Sequence, residues 1–132
     1  MTRSLPYVLT LAFLPGAAAA QNVDCTNAQA QTELTYCAEQ DWNAADARLN
    51  AAYESAISAM RGIDSSLDAQ DRGAEAALRA AQRAWISFRD NTCAAEGWAM
   101  HGGSAEPMVI YGCRARVTAA RADELENMEA GD

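Results

Sequence analysis

Residues 81–93, AQRAWISFRDNTC, are the part of the sequence that is most informative about the fold. Gln82, Trp85 and Arg89 recur at intervals of three and four residues, which places them on one stripe of a helix. A polar residue within such a stripe needs a partner when the face is buried. The stretch therefore predicts a helix that packs against neighbouring helices through polar as well as apolar side chains.

The same helical spacing continues on both sides of this stretch. Thr26 and Gln29 resemble a capping box, Gly62 is expected to end the first long helix, and Pro107 to open the last. Alternating runs of β-branched residues are absent from the sequence. The prediction is all-α: an antiparallel, up-down-up bundle of three long helices with a short N-terminal helix. The predicted helices span residues 27–31, 33–61, 68–96 and 107–128.

The N-terminal segment Met1–Ala20 has the features of a secretory signal peptide. Arg3 supplies the positive charge, Leu5–Leu14 the apolar core, and three small residues precede Gln21. The alternative is a membrane anchor, but the apolar stretch is shorter than the roughly 20 residues that span a bilayer. We expect cleavage near Ala20 and a periplasmic or secreted protein.

The remaining residues, 21–132, are predicted to form one domain. The chain has 18 acidic residues against 10 basic ones, all of them Arg, and a net charge of -8. This balance argues against a nucleic-acid partner and against an anionic membrane surface. It is compatible with a cationic protein partner, whose approach the charge would accelerate.

The four cysteines predict two disulfides rather than a zinc site, because metal ligands are usually closely paired in sequence. Among three possible pairings we favour Cys25–Cys37 and Cys93–Cys113, because Cys93 and Cys113 flank a loop with three glycines and Pro107, where the chain can turn back. Positions 25 and 37 of a continuous helix lie roughly 18 Å apart, too far for a disulfide. The first bridge therefore requires a break in the helix, which we expect near Thr32.

Catalytic motifs are lacking in the sequence. It contains no nucleophile elbow and no phosphate-binding loop. His101, the one histidine, is better explained as an exposed loop residue than as a metal ligand. A two-carboxylate glycosidase is a distant alternative, because most acids fall on solvent-facing helix positions. We predict no enzyme activity, no cofactor and no metal.

Polar residues in the apolar stripes of three helices predict an inter-helix polar lock. Arg89 or Arg121 is expected to pair with Asp46, because a guanidinium makes bidentate contacts with carboxylates. Asn50 and Gln82 would complete the hydrogen bonds. The alternative interpretation is a polar pocket that binds a ligand.

These residues also carry a family resemblance that spans nearly all of the chain after residue 20. The residues that carry it are the AQRAWISFRDNTC stretch, the cysteines, DxxLNxxY at 46–53, GGS at 102–104 and TxxRxxxL at 118–125. Together they resemble the LprI-type lysozyme inhibitor domain of bacterial envelope proteins. The resemblance implies a small exported helical domain, with lysozyme inhibition as the activity of a member. The lipidation cysteine of the family's lipoprotein members is absent at the cleavage site.

The loop Trp98–Glu106, between the second and third long helices, is the candidate for blocking a lysozyme. The Cys93–Cys113 bridge would close this loop and reduce the entropy lost on binding. An acidic inhibitor suits a cationic lysozyme with its two-carboxylate cleft. A simple connection between the helices is the alternative interpretation of this loop, and the loop Ile63–Asp71 is a second candidate. The alternative function is a non-catalytic periplasmic interaction module without inhibition. The proposed loop contacts are Trp98, His101, Ser104 and Glu106.

Overall fold

The structure is a computed structural model that describes residues 23–130. Three long helices make up most of it: α1 (Gln31–Ser65), α2 (Ala74–Gly97) and α3 (Glu106–Ala130). Two short 3-10 turns, Ala69–Asp71 and Trp98–Met100, stand between them. The described residues contain no strand, and the all-helical fold with three long helices is confirmed. The predicted signal peptide lies outside the described residues.

Cross-helix pairs show how the helices are arranged. Arg61–Glu75 and Asp46–Arg89 join α1 to α2, and Gln82–Arg121 and Cys93–Cys113 join α2 to α3. In both helix pairs, the residue further along the first helix contacts the residue nearer the start of the second helix. The first turns of α1 and α3 also meet, where the Gln31 amide lies 3.5 Å from the Met108 sulfur. The start of α1, the end of α2 and the start of α3 thus share one end of the molecule, here called the disulfide end.

The hydrophobic core is built from few large side chains. Alanines at 52, 56 and 122 let the helices approach closely, and Leu49, Leu78 and Leu125 supply most of the aliphatic volume. Tyr53, Met60 and Trp85 pack against this cluster from its edge. Burial of these aromatic and thioether side chains offsets the scarcity of aliphatic ones.

The start of α1 differs from the prediction. Asp24 to Asn27 form a turn, in which the Asp24 carboxylate accepts hydrogen bonds from Thr26 and Asn27, and this holds the pKa of Asp24 below its ordinary value. No helix spans residues 27–31, because α1 begins only at Gln31. The capping carboxylate belongs to Glu33, which accepts from the backbone N–H of Ala30 at 3.2 Å. Glu33 therefore replaces the predicted Thr26 and Gln29 box.

Both predicted disulfides are present. The Cα atoms of Cys25 and Cys37 are 5.6 Å apart, and those of Cys93 and Cys113 are 5.4 Å apart. The break that the first bridge requires lies before Gln31, so α1 itself is continuous from its first residue. Residues 25–30, which precede α1, therefore bring Cys25 back to Cys37 in the second turn of the helix.

The junction of α1 and α2 also differs from the prediction. Gly62 does not end α1, which continues to Ser65. The carboxylate of Asp64 accepts hydrogen bonds from the N–H groups of Gly73, Ala74 and Glu75 at 2.9, 2.9 and 3.1 Å, and these lower its pKa. Asp64 therefore caps α2 from the last turn of α1. This explains why α2 begins at Ala74 and not near residue 68.

Candidate functional site

The loop at the disulfide end is a series of tight turns. The N–H of His101 donates to the Trp98 carbonyl at 3.2 Å, and that of Gly103 donates to the Met100 carbonyl at 2.9 Å. Gly102 has a φ of +76°, a conformation that side-chain-bearing residues rarely adopt. The backbone of the loop is thus hydrogen-bonded at successive residues rather than left to solvent.

Three side chains of the loop lie together. The rings of Trp98 and His101 stack with centroids 3.9 Å apart and planes 26° apart. The imidazole Nδ1 lies 3.2 Å from Oε1 of Glu106, while Oε2 of that carboxylate accepts the N–H of Gly102 at 2.8 Å. The hydrogen bonds from Gly102 and then from His101 lower the pKa of Glu106. Glu106 therefore holds the loop in place from the first turn of α3.

Trp98 keeps most of its surface in water although its ring is held. The residue is 65% exposed, and its neighbour Met100 is 50% exposed. Exposed large apolar side chains that are immobilised before binding lose little entropy when a partner covers them. The arrangement presents a held indole ring and an exposed methionine at the disulfide end.

Ser104 lies apart from this stack. It is exposed and lines a shallow cavity of about 290 Å³ together with Pro107 and the first turn of α1. The sequence analysis placed Ser104 among the loop contacts, and the structure puts it on the side of the loop that faces α1. The other cavity residues are Gln31, Thr32 and Thr35.

Two residues that support the loop were missed in the sequence. Gly97, read there as part of the loop, is the last residue of α2 and is buried. A Cβ atom at this position would lie 2.5 Å from Cγ1 of Ile110, so only glycine lets α2 end so close to α3. Met100, two residues after Trp98 in the chain, is also exposed, and no pattern in the sequence identified it. Close packing of α2 against α3 beside the Cys93–Cys113 bridge fixes the position at which the loop leaves α2.

The residues of the predicted polar lock lie in two separate contacts. The guanidinium of Arg89 is 3.5 Å from Asp46, and Asn50 donates to the same carboxylate at 3.3 Å. Arg121 donates instead to Gln82 at 3.2 Å. Arg89 is buried, whereas the Asp46 side chain is 43% exposed, so this pair is partly screened by water.

An aromatic layer that the sequence analysis missed surrounds Arg89. Its guanidinium lies 5.6 Å from the ring centroid of Trp42 and 5.2 Å from that of Trp85. Arg114 stands over Trp42 at 4.8 Å, and the Trp42 ring stacks on Tyr111 at 5.7 Å. Nε of Arg89 also donates to the Asp90 carboxylate at 3.0 Å, so cation–π contacts and two carboxylates together stabilise this buried guanidinium.

Within residues 23–130, no group of three or more histidine, cysteine or acidic side chains is arranged to hold a metal ion. None of the helices in this part of the chain is long and apolar enough to cross a membrane.

Comparisons with known proteins agree with this architecture. A crystal structure of a DUF1311 family protein from Pseudomonas putida KT2440 superposes with a TM-score of 0.67, at 24% identity, over 80% of this chain and all of that one. An uncharacterized protein of Rhizobium meliloti (strain 1021) is 45% identical over 108 residues, which are 80% of this chain and 78% of that protein. The family model named lysozyme inhibitor LprI matches residues 24–125. The chain belongs to the lysozyme inhibitor LprI family.

Proposed function

We propose that this protein binds a cationic lysozyme and blocks it through the loop at the disulfide end. The observation that carries the proposal is Trp98, largely exposed yet held by its stack on His101. Glu106 braces both the histidine and the loop backbone. A preordered aromatic anchor of this kind is typical of residues that dominate binding energy in protein interfaces.

Charge supports the same type of partner. The net charge of -8 favours encounter with a cationic protein and disfavours other acidic ones. Membership of the LprI family supports lysozyme as that partner. Two disulfides are typical of an oxidising compartment, which supports action outside the cytoplasm, in the periplasm or beyond it.

The second candidate loop, Ile63–Asp71, fits the proposal less well. Its first residues belong to α1, and Asp64 is engaged in capping α2. For the Asp46, Asn50 and Arg89 contact and for the Gln82 and Arg121 contact we propose a structural role, because both join neighbouring helices. A ligand in either contact would have to displace existing protein partners.

The direct test is a lysozyme activity assay with the purified, disulfide-bonded protein in excess at low salt. Several lysozymes are compared, among them a cationic one of the animal type. Trp98→Ala is expected to weaken inhibition at least about tenfold, the loss usual for a central aromatic anchor. Phe88→Ala is the matched control, since Phe88 is another exposed aromatic (58%) and lies on α2 away from the loop.

Two outcomes would contradict the proposal. Absence of inhibition against every lysozyme would leave a non-inhibitory interaction module as the better explanation of the fold. Equal potency of Trp98→Ala and the parent protein would exclude the loop as the contact surface, even if inhibition itself were observed.

A further inference from the structure

His101 is the one histidine of the chain, and it stands between the two other side chains that hold the loop. Its ring stacks on Trp98, and its Nδ1 lies 3.2 Å from Oε1 of Glu106. Histidine is the residue type whose charge ordinarily changes between about pH 5 and 8. The exposed indole is therefore joined to the first turn of α3 through a side chain that can carry a proton or lose it.

Both contacts of His101 are stronger when its ring is protonated. An imidazolium donates a charge-assisted hydrogen bond from Nδ1 to the Glu106 carboxylate, and such bonds are stronger than neutral ones. A positive ring over Trp98 adds cation–π attraction to the stack. A neutral imidazole has one N–H, and when that hydrogen is on Nε2 a lone pair of Nδ1 faces the carboxylate instead. Loss of the proton therefore weakens both links.

Glu106 keeps its charge over this pH range. Hydrogen bonds from the Gly102 N–H and then from His101 hold the pKa of this carboxyl below its ordinary value of about 4.3. Its second oxygen accepts the Gly102 N–H at 2.8 Å, in the turn where φ is +76°. One carboxylate thus couples the charge of the imidazole to the backbone of the loop.

Other charged groups around the loop are engaged elsewhere. Glu96, at the end of α2, pairs with Arg116 of α3 at 2.8 Å. Glu33, in the first turn of α1, caps its own helix. In the part of the chain that the structure describes, Glu106 is the one charged side chain in ion-pair contact with His101. The response of the loop to pH is therefore set by this contact and by the stack.

We propose that His101 is a pH switch for the order of the loop at the disulfide end. In mild acid the imidazolium ties Trp98 to Glu106, and the turn at Gly102 stays closed. As pH rises through the range of histidine, the proton leaves, both links weaken and the turn opens more often. The consequence for a partner rests on the proposed function: a loop that is held in mild acid inhibits lysozyme more strongly there than in mild alkali.

The switch is tested by NMR on the purified protein alone. The measured quantity is the protection of the Gly102 backbone N–H against exchange with solvent, corrected for the pH dependence of exchange in an unstructured peptide. Protection should fall about three- to tenfold between about pH 5.5 and about pH 8, the loss expected for two weak contacts at an exposed site. The ring resonance of His101 should titrate over the same range. The N–H of Asp71, which donates to the Asp68 carbonyl at 2.9 Å in the other connection between helices, is the matched control and should keep its protection.

Two variants isolate the histidine. His101→Gln keeps a side-chain N–H donor but has no titrating ring, so the protection of Gly102 should not change over this pH range. Glu106→Gln keeps an oxygen that can accept the Gly102 N–H but loses the charge, so the change with pH should be smaller than in the parent protein. Circular dichroism at both pH values establishes that each variant is folded. Protection that is independent of pH in the parent protein, or a fall of equal size in His101→Gln, would overturn the proposal.

Lysozyme assays measure the consequence for inhibition. The potency of the parent protein relative to His101→Gln is compared at the two pH values, so that the pH dependence of the lysozyme itself cancels. This ratio should fall about three- to tenfold from about pH 5.5 to about pH 8. The expected fall in Gly102 protection without inhibition of any lysozyme would support the switch and contradict the proposed function. Inhibition without any change in Gly102 protection would contradict the switch alone.

Discussion

Individual residues differ in how far their roles follow from sequence. The disulfide partners follow from the cysteine count and from the turn-forming residues between Cys93 and Cys113. Asp46 and Arg89 follow from helical periodicity, which brings their stripes to the interface of α1 and α2. Trp42 and Arg114 do not, since their contact depends on how α1 and α3 rotate about their axes. Nothing in the separation of those two positions indicates that their side chains meet.

One buried polar atom on α3 leads to a stability prediction. Thr118 is fully buried, and its hydroxyl has no hydrogen-bond partner among the described residues. Thr118→Val keeps the shape and removes the unsatisfied group, so we expect a gain of about 1 kcal/mol in unfolding free energy. Urea denaturation measures it. Thr35→Val is the control and should lose stability, because the Thr35 hydroxyl donates to the Gln31 carbonyl at 2.9 Å. A loss in Thr118→Val would show that its hydroxyl has a partner in solution.

At the scale of elements, helix ends were harder to predict than helices. A glycine inside a helix is unfavourable by about 1 kcal/mol, which is why Gly62 was expected to end α1. The helix passes it because Asp64, two residues later, caps α2 through three backbone N–H groups. A helix end that is fixed by the next helix leaves no local signal in the sequence.

This cap makes stability depend on pH. Hydrogen bonds from the N–H groups of Gly73, Ala74 and Glu75 lower the pKa of Asp64 in the folded state, so its contribution is complete above the unfolded value of about 3.9. The contribution is lost as pH falls through the lower folded value. We expect Asp64→Ala to be less stable than the parent protein at pH 7 and the difference to shrink in acid. Thermal melts across pH measure it, and a difference that is constant with pH would contradict the role.

Two glycines in helices are expected to respond in opposite ways. Gly97→Ala places a Cβ atom 2.5 Å from Ile110, and forcing the two apart should lower the unfolding free energy by about 1–3 kcal/mol. Gly112→Ala meets nothing within 4 Å and removes a glycine from α3, so it should raise stability by about 0.5–1 kcal/mol. Equilibrium unfolding in urea compares them. Equal effects would mean that the end of α2 is not tightly packed against α3.

At the scale of the whole molecule, the two ends are stabilised differently. The disulfide end carries both bridges and the braced loop, whereas the opposite end is joined by a cap and an ion-pair group around Glu75. The even number of cysteines and the composition of the loop indicated the disulfide end from the sequence. A groove of about 330 Å³ between α2 and α3 at the opposite end was not foreseen, because alanine at a helix face predicts close packing as readily as an unfilled space.

Removal of each bridge should therefore affect function differently. Serine replacement of both Cys93 and Cys113 opens the 20-residue loop, and we expect it to lower the unfolding free energy by about 3 kcal/mol. It should also weaken the proposed lysozyme inhibition, because the freed loop must be ordered on binding. Serine replacement of Cys25 and Cys37 opens a 12-residue loop and serves as the matched control. It should lower stability by a similar or slightly smaller amount and leave inhibition nearly intact. Equal loss of inhibition in both variants, measured under conditions where both are folded, would show that stability rather than loop order determines potency.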